Sequence, residues 1–199
     1  MSPAGLFGLF SGWRVMAPSN PFDYVGMFNT AAQLNDPVLI IEHGDLYNQK
    51  GNIPKDNIDY YVKYGSARIV RTGSNVTLLT YLTGVNDALA AARELESEGV
   101  DVEVIDLRTL DYTGMDFETI GESVQKTMHV IVLEQTPRSM GIASRVSDEI
   151  QERFFDYLDA PVQKITAFDV PTPVSRMLET ALLPDVNKIV EGIFRMGDV

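Results

Sequence analysis

Hydrophobic and polar positions are most regularly ordered between Val76 and Arg108, in the run VTLLTYLTGVNDALAAARELESEGVDVEVIDLR. Val76 to Tyr81 is the β-branched and apolar run that a buried parallel strand needs. Gly84 and Asn86 break that run and open a helix. On it, Val85, Leu89, Ala92 and Leu95 fall at offsets 0, 4, 7 and 10, one face of a 3.6-residue period. Gly99 stops the helix where a left-handed residue costs least, and Val100 to Leu107 alternates into a second strand. Two parallel strands with a helical crossover form a βαβ unit, and such units carry their sites at strand ends.

The same reading extends along the chain in three blocks. In the first, Trp13 to Ala17 is a short apolar run and Pro18 to Pro21 a turn. Phe22 to Leu34 then puts Phe22, Val25, Phe28 with Met27, Ala32 and Leu34 near one helical stripe, and Val38 to Glu42 is a strand. A strand–helix–strand piece of roughly fifty residues cannot close a doubly wound sheet, so something else must cover its faces. The second block, His43 to Ser66, has little period; segments of this kind separate domains or carry function. From Ala67 onward the alternation is full. Helices are expected at Asp116 to Thr127, Gly141 to Leu158 and Asp185 to Met196, and strands at His129 to Glu134 and Val162 to Ala167. The expected fold is α/β, a three-layer sandwich on a mostly parallel sheet with a partial α/β remnant at the N-terminus. The domain bounds are 1–50 for the remnant, 51–66 for a connector and 67–199 for the sandwich.

Charge changes the picture. The formal net charge of −12 argues against nucleic acid and anionic membrane surfaces, which require clustered Lys and Arg, and is compatible with a basic protein partner. Residues 1–50 hold −2 of it and the remainder −10. Cysteine is absent, which removes disulfides, thiolate metal sites and cysteine nucleophiles. The opening MSPAGLFGLFSGW has no positive start and three glycines in its apolar run, unlike a secretory signal. The expected location is the cytoplasm, or an organelle matrix.

Visible chemistry is sparse. His43 follows a strand, at the sheet edge where α/β proteins put ligands; His129 enters a strand, where capping or packing is the usual role. The loop Glu134 to Gly141 joins a strand to a helix N-terminus but has one glycine and no Lys-Ser/Thr pair, so it is no P-loop. An ion pair between Glu134 and Arg138 is the structural expectation there. No G-x-S-x-G elbow and no G-x-G-x-x-G occurs. Asp169-Val170-Pro171-Thr172-Pro173 is a rigid extended turn.

Several ordered segments resemble one family. Gly12 to Ser19 (GWRVMAPS) and Asn35 to His43 (NDPVLIIEH) resemble the G-L-K-V-V-x-P-S and D-x-P-V-x-x-x-E-H segments of the β subunit of thiamine-diphosphate-dependent 2-oxo-acid dehydrogenases, in the transketolase superfamily. Val102 to Leu110 (VEVIDLRTL), Phe155 to Pro161 (FDYLDAP) and Asp169 to Pro173 (DVPTP) resemble its later motifs, with Leu178-Glu179 and Leu183-Pro184 following. The resemblance covers nearly all of the chain, as the end of a pyrimidine-binding domain followed by a transketolase C-terminal-like domain. It implies a β-subunit portion of the decarboxylating component, pyruvate favoured over acetoin or branched-chain 2-oxo acids, serving subunit assembly and docking to a lipoyl acyltransferase core. The implied partners are an α subunit and a second β subunit in an oligomer. Thiamine diphosphate and magnesium belong to the assembled complex. A structural potassium ion is implied on main-chain carbonyls at the positions of Ala31, Ala32, Leu34 and Asp36.

The family's cofactor-activating glutamate has no counterpart here, and Met1-Ser2 stands where its His-Ser pair would be. Leu9 replaces a second histidine and Ser11 a proline. No catalytic or cofactor-binding residue is therefore carried over, and the chain alone is expected to be inactive. The alternative reading is a non-catalytic assembly or regulatory module, or a truncated fragment without its own activity.

Overall fold

The computed structural model describes residues 2–197; Met1, placed above in the family's His-Ser position, lies outside them. The chain begins with α1 (Ala4–Phe7), β1 (Arg14–Met16), α2 (Pro21–Ala31) and β2 (Val38–Ile40). β1 and β2 pair in parallel, Arg14 opposite Val38. Pro21 presets the first turn of α2, and the Asn20 side chain caps it by accepting the Asp23 N–H at 2.9 Å.

The face that α2 buries differs from expectation. Met27 is buried as expected, but Asp23 and Gly26 point inward beside it, whereas Phe22, Phe28 and Ala32 are exposed and Val25 and Leu34 are half-buried. Two tertiary demands rotate the helix. Asp23 is drawn under Arg108, and Gly26 lets the segment after it pass within van der Waals range. A Cβ at position 26 would stand 2.6 Å from Val62 and 2.9 Å from the Tyr60 ring. That segment is the connector. Asn29 donates to the carbonyls of Ile58 and Tyr60 at 2.7 and 2.9 Å, the Val62 N–H reaches the Gly26 carbonyl, and Tyr60 stacks on Phe22. Residues 58–62 are thus strapped along α2 instead of hanging free.

The second sheet contains β3 (Arg68–Arg71), β4 (Val76–Thr80), β5 (Val102–Asp106), β6 (Val130–Pro137) and β7 (Gln163–Ala167), in the order β3-β5-β4-β6-β7. All neighbours are parallel except β3, which runs antiparallel to β5 at the edge. Helices α3 (Gly84–Glu96), α4 (Phe117–Thr127), α5 (Ala143–Phe154), α6 (Arg176–Leu182) and α7 (Val186–Phe194) complete it. Strand alternation sorts the core into two faces. Leu79, Ile105 and Val132 face α4 and α5 through Ile120, Val124, Val146 and Ile150. Leu78, Val104 and Ile131 face α3 and α7 through Ala88, Ala92, Leu95, Ile189 and Ile193. The expected three-layer α/β sandwich is present. Among the described residues no helix is long and apolar enough to cross a membrane.

One face of the N-terminal piece is covered, as expected, by something outside it, namely the rest of the same chain. Val15, Ala17 and Ile41 belong to the same core as Leu107 and Leu110. Ala17 donates to the Arg108 carbonyl and Leu110 to the Val15 carbonyl, each at 2.8 Å. The Val15 N–H goes to the Asp111 carboxylate at 3.1 Å. The two sheets therefore share a core along the β5 exit.

Candidate functional site

In a parallel sheet, strands whose crossovers leave in opposite directions open a crevice at their carboxyl ends. Here β4 crosses by α3 to β5 on one side, while β6 and β7 lie on the other. The switch point is therefore between β4 and β6. Tyr81, Leu82 and Thr83 leave β4 there, and Gln135 and Thr136 line the opposite wall in a cavity of about 120 Å³.

Local backbone marks the same place. Leu82 has φ +52, in the left-handed region that costs a branched residue free energy. The pairing of β6 with β7 is irregular between Glu134 and Pro137, which re-aims Gln135 and Thr136. Arg108, at the corresponding exit of β5, has φ +54.

His43, singled out by its position after a strand, is brought into this crevice from the N-terminal unit, with Glu42 beside it. Its Nδ1 accepts the Asp45 N–H at 3.2 Å. The Asp45 carboxylate lies 3.8 Å from the same nitrogen. On its other side His43 borders a wider cavity of about 610 Å³ with Tyr24, Val25, Leu46 and Tyr47. Tyr47 donates to Glu42 at 3.1 Å. Hydrogen bonding to Glu42 raises the Tyr24 and Tyr47 hydroxyls.

Glu134 is not paired with Arg138, which is exposed. Its carboxylate instead accepts the N–H groups of Ile142 and Ala143, at 3.1 and 2.9 Å, and the Tyr81 hydroxyl at 3.1 Å. Two donors at a helix start and the Tyr81 hydroxyl satisfy a buried carboxylate better than one solvated guanidinium does. Burial nevertheless holds Glu134 above the usual carboxylate range, opposed by those donors. His129 is buried, with Nδ1 against the Thr127 carbonyl at 3.2 Å, a packing role.

The four positions at which the resemblance implies a cation lie at and just after the end of α2. Ala31 closes the helix and Ala32 caps it; Leu34 and Asp36 occupy the turn into β2. The Ala31 carbonyl accepts the Leu34 N–H at 3.2 Å. One carboxylate oxygen of Asp36, Oδ2, is held by Arg14 at 2.7 and 2.8 Å.

The two units are tied by a buried charge cluster that sequence reasoning missed. Arg108 grips the fully buried Asp23 through two nitrogens, at 2.5 and 3.1 Å, and Arg68 approaches it at 3.5 Å. Ser19 donates to Asp106, which also accepts the Arg108 N–H at 3.2 Å. Burial pushes the Asp106 carboxyl up to about 6, and Asp23 adds to it. A carboxyl raised on folding is stabilising when protonated, so this contribution is full below the unfolded value of 3.8 and is lost as pH rises through 6. We expect Asp106→Asn to remove on the order of 3 kcal/mol of stability loss between pH 4 and pH 7. Denaturant midpoints of both proteins across that range check it; parallel pH curves would contradict it.

Comparisons with known proteins agree with this architecture. The transketolase C-terminal domain family matches residues 65–189. The chain is 36% identical over 190 residues to the pyruvate dehydrogenase E1 component subunit beta of Rhizobium meliloti (strain 1021), covering 96% of this chain and 41% of that one. It is 38% identical over 186 residues to the acetoin:2,6-dichlorophenolindophenol oxidoreductase subunit beta of Bacillus subtilis (strain 168), covering 94% and 53%. The chain thus spans about half the length of the curated relatives it matches. A solved structure titled split gene transketolase, inactive beta4 tetramer, superposes with a TM-score of 0.76 at 21% identity, over 97% of this chain and 60% of that chain. That likeness is one of fold. With its strand order, its two-faced core and the match over residues 65–189, the chain belongs to the transketolase C-terminal domain family.

Proposed function

We propose that this chain is the scaffold portion of the β component of a 2-oxo-acid dehydrogenase, with pyruvate as the favoured substrate. The observation that carries the reading is the orientation of α2. One side of that helix is locked to the chain's own second sheet by Asp23, while Phe22, Tyr24 and Phe28 face outward at 38%, 40% and 56% exposure. An aromatic face of this kind is suited to burial against another subunit. Further along, Phe168, Val170, Val174, Met177 and Leu178 form a second exposed apolar stretch on and before α6. The acidic C-terminal part that carries it suits the basic binding domain of a lipoyl acyltransferase.

Among the described residues no group of three or more His, Asp or Glu could hold a metal ion. On this reading an α subunit holds the diphosphate and its magnesium, and the cofactor-activating carboxylate lies outside this chain. A potassium ion is a different case, because main-chain carbonyls suffice. The C-terminal end of α2, at Ala31 and Ala32, carries the negative pole of the helix dipole, and Leu34 and Asp36 follow it in the chain.

Affinity purification of the tagged chain from its native cells, read by mass spectrometry, tests the assembly role. Recovery of a thiamine-dependent α subunit in stoichiometric amount is the expected result. A monomer purified without any such partner would contradict it.

A further inference from the structure

We infer that the cleft between α2, β3 and the start of α3 binds a nucleoside monophosphate, its phosphate held by Arg68 and Arg108. The inference goes beyond the assembly role, because this chain alone builds the site. The cleft measures about 620 Å³ and shares no lining residue with the crevice between β4 and β6. That volume takes a molecule of nucleotide size and is far larger than a lone ion needs.

Charge sets the first limit. In a chain of net charge −12, this cleft is lined by two arginines and by no Asp or Glu. Both guanidinium groups reach the same buried oxygen, Oδ2 of Asp23, Arg108 Nε at 3.1 Å and Arg68 Nη1 at 3.5 Å. They therefore stand side by side with a single carboxylate behind them, which leaves one positive charge unbalanced. Asp106, buried in the same cluster, does not line the cleft and is engaged by the Ser19 hydroxyl and the Arg108 N–H. Donors remain as well as charge. Among the described residues Arg68 makes no side-chain hydrogen bond, and Asp23 takes only Nε and Nη2 of Arg108, leaving Nη1 without a partner. Two adjacent guanidinium groups offer N–H donors from two directions. That suits the three terminal oxygens of a phosphate monoester better than a planar carboxylate, which one guanidinium fork saturates.

The walls set the second limit. Val70, Val85 and Leu89 form an apolar strip, and Gln49, Asn52 and Asn86 bring three carboxamides. Asn20 is already spent, donating to Asp23 and Ser19 and accepting the Asp23 N–H. Asn86 donates to the Gln49 carbonyl oxygen at 3.3 Å, which leaves the Gln49 amide group and the Asn86 carbonyl to a ligand. Asn52 makes no side-chain hydrogen bond among the described residues. Free amide donors and acceptors together with an apolar strip match a nucleobase, whose flat faces are apolar and whose edge both donates and accepts. A bare phosphate leaves these walls unused, and an uncharged nucleoside leaves the arginines unpaired.

The test titrates the full chain with AMP, adenosine and inorganic phosphate, by calorimetry and with backbone amide resonances followed. AMP is expected to bind once per chain and to shift the amides of Asn52, Arg68 and Asn86 in a saturable manner. Adenosine and inorganic phosphate are each expected to bind at least about tenfold more weakly, the worth of one charge-assisted hydrogen bond. Arg68→Gln is expected to weaken AMP and phosphate roughly tenfold. Asn52→Ala, in an exposed loop clear of the buried cluster, is expected to weaken AMP about fivefold and leave phosphate unchanged, so the test survives if Arg68→Gln does not fold. AMP binding no tighter than inorganic phosphate, no tighter than adenosine, with its shifts elsewhere, or unaltered by either variant would each overturn the inference. None of these outcomes bears on partner recovery, so the assembly reading stands or falls separately.

Discussion

Arg108→Ala is expected to lower stability by about 3–5 kcal/mol, seen as a fall in Tm of roughly 10 °C in calorimetry. The reason is the carboxylate it leaves behind. Asp23 is fully buried, and Arg108 supplies two of its hydrogen bonds in the paired geometry that guanidinium and carboxylate favour. Arg68 remains at 3.5 Å, but its side chain is half-exposed and cannot replace that grip. The loss should therefore come from an unpaired buried charge and not from a lost contact as such. The double variant Asp23→Asn, Arg108→Ala separates the two, because it removes the charge along with its partner. It is expected to recover at least half of the lost stability. A double variant as unstable as the single one would assign the effect to packing or to the left-handed backbone at position 108.

Glu134→Ala is expected to cost about 3 kcal/mol and to loosen the start of α5. Three donors lose their acceptor at once: the N–H groups of Ile142 and Ala143 and the Tyr81 hydroxyl. Gly141 has no side chain to fill the space, and a Cβ there would collide with the carboxylate. Glu134→Gln keeps an acceptor oxygen but turns one oxygen into a donor facing other donors, so about half the loss is expected. Hydrogen exchange localises the effect. Faster exchange at residues 142–146 in the alanine variant, with the β4 amides unchanged, is the predicted pattern. Uniform acceleration over the whole sheet would show that Glu134 matters to the core and not to the helix start.

Much of this fold is legible in the sequence where local pattern and tertiary role coincide. The β4–α3–β5 unit is the plainest case, since Val76 to Thr80 is buried at every position and Gly99 takes φ +85 as a helix stop should. β3 is not legible, because Arg-Ile-Val-Arg offers two apolar residues and pairs antiparallel at an edge. α6 carries no buried residue, so no stripe announces it. The face of α2 misleads for a sharper reason: its inward residues are an aspartate and a glycine chosen for Arg108 and for the strap of residues 58–62. No periodicity reveals a partner many residues away.

The candidate site shows the same division. His43 is visible from its place after a strand, and the structure delivers it to the switch point between β4 and β6. Thr83, Gln135 and Thr136 give no such signal, because hydroxyls and amides at strand ends are ordinary. Their meaning depends on the order of strands and on the left-handed turn at Leu82. Glu134 misleads because a charge of opposite sign follows four residues later, whereas the folded chain offers it a helix start.

Carbon dioxide release from pyruvate, with thiamine diphosphate and magnesium present, tests the central claim most directly. The purified chain is predicted to give no turnover above the protein-free rate, and turnover is predicted to appear when the partner subunits recovered with it are added back. Sustained decarboxylation by this chain alone would contradict the account.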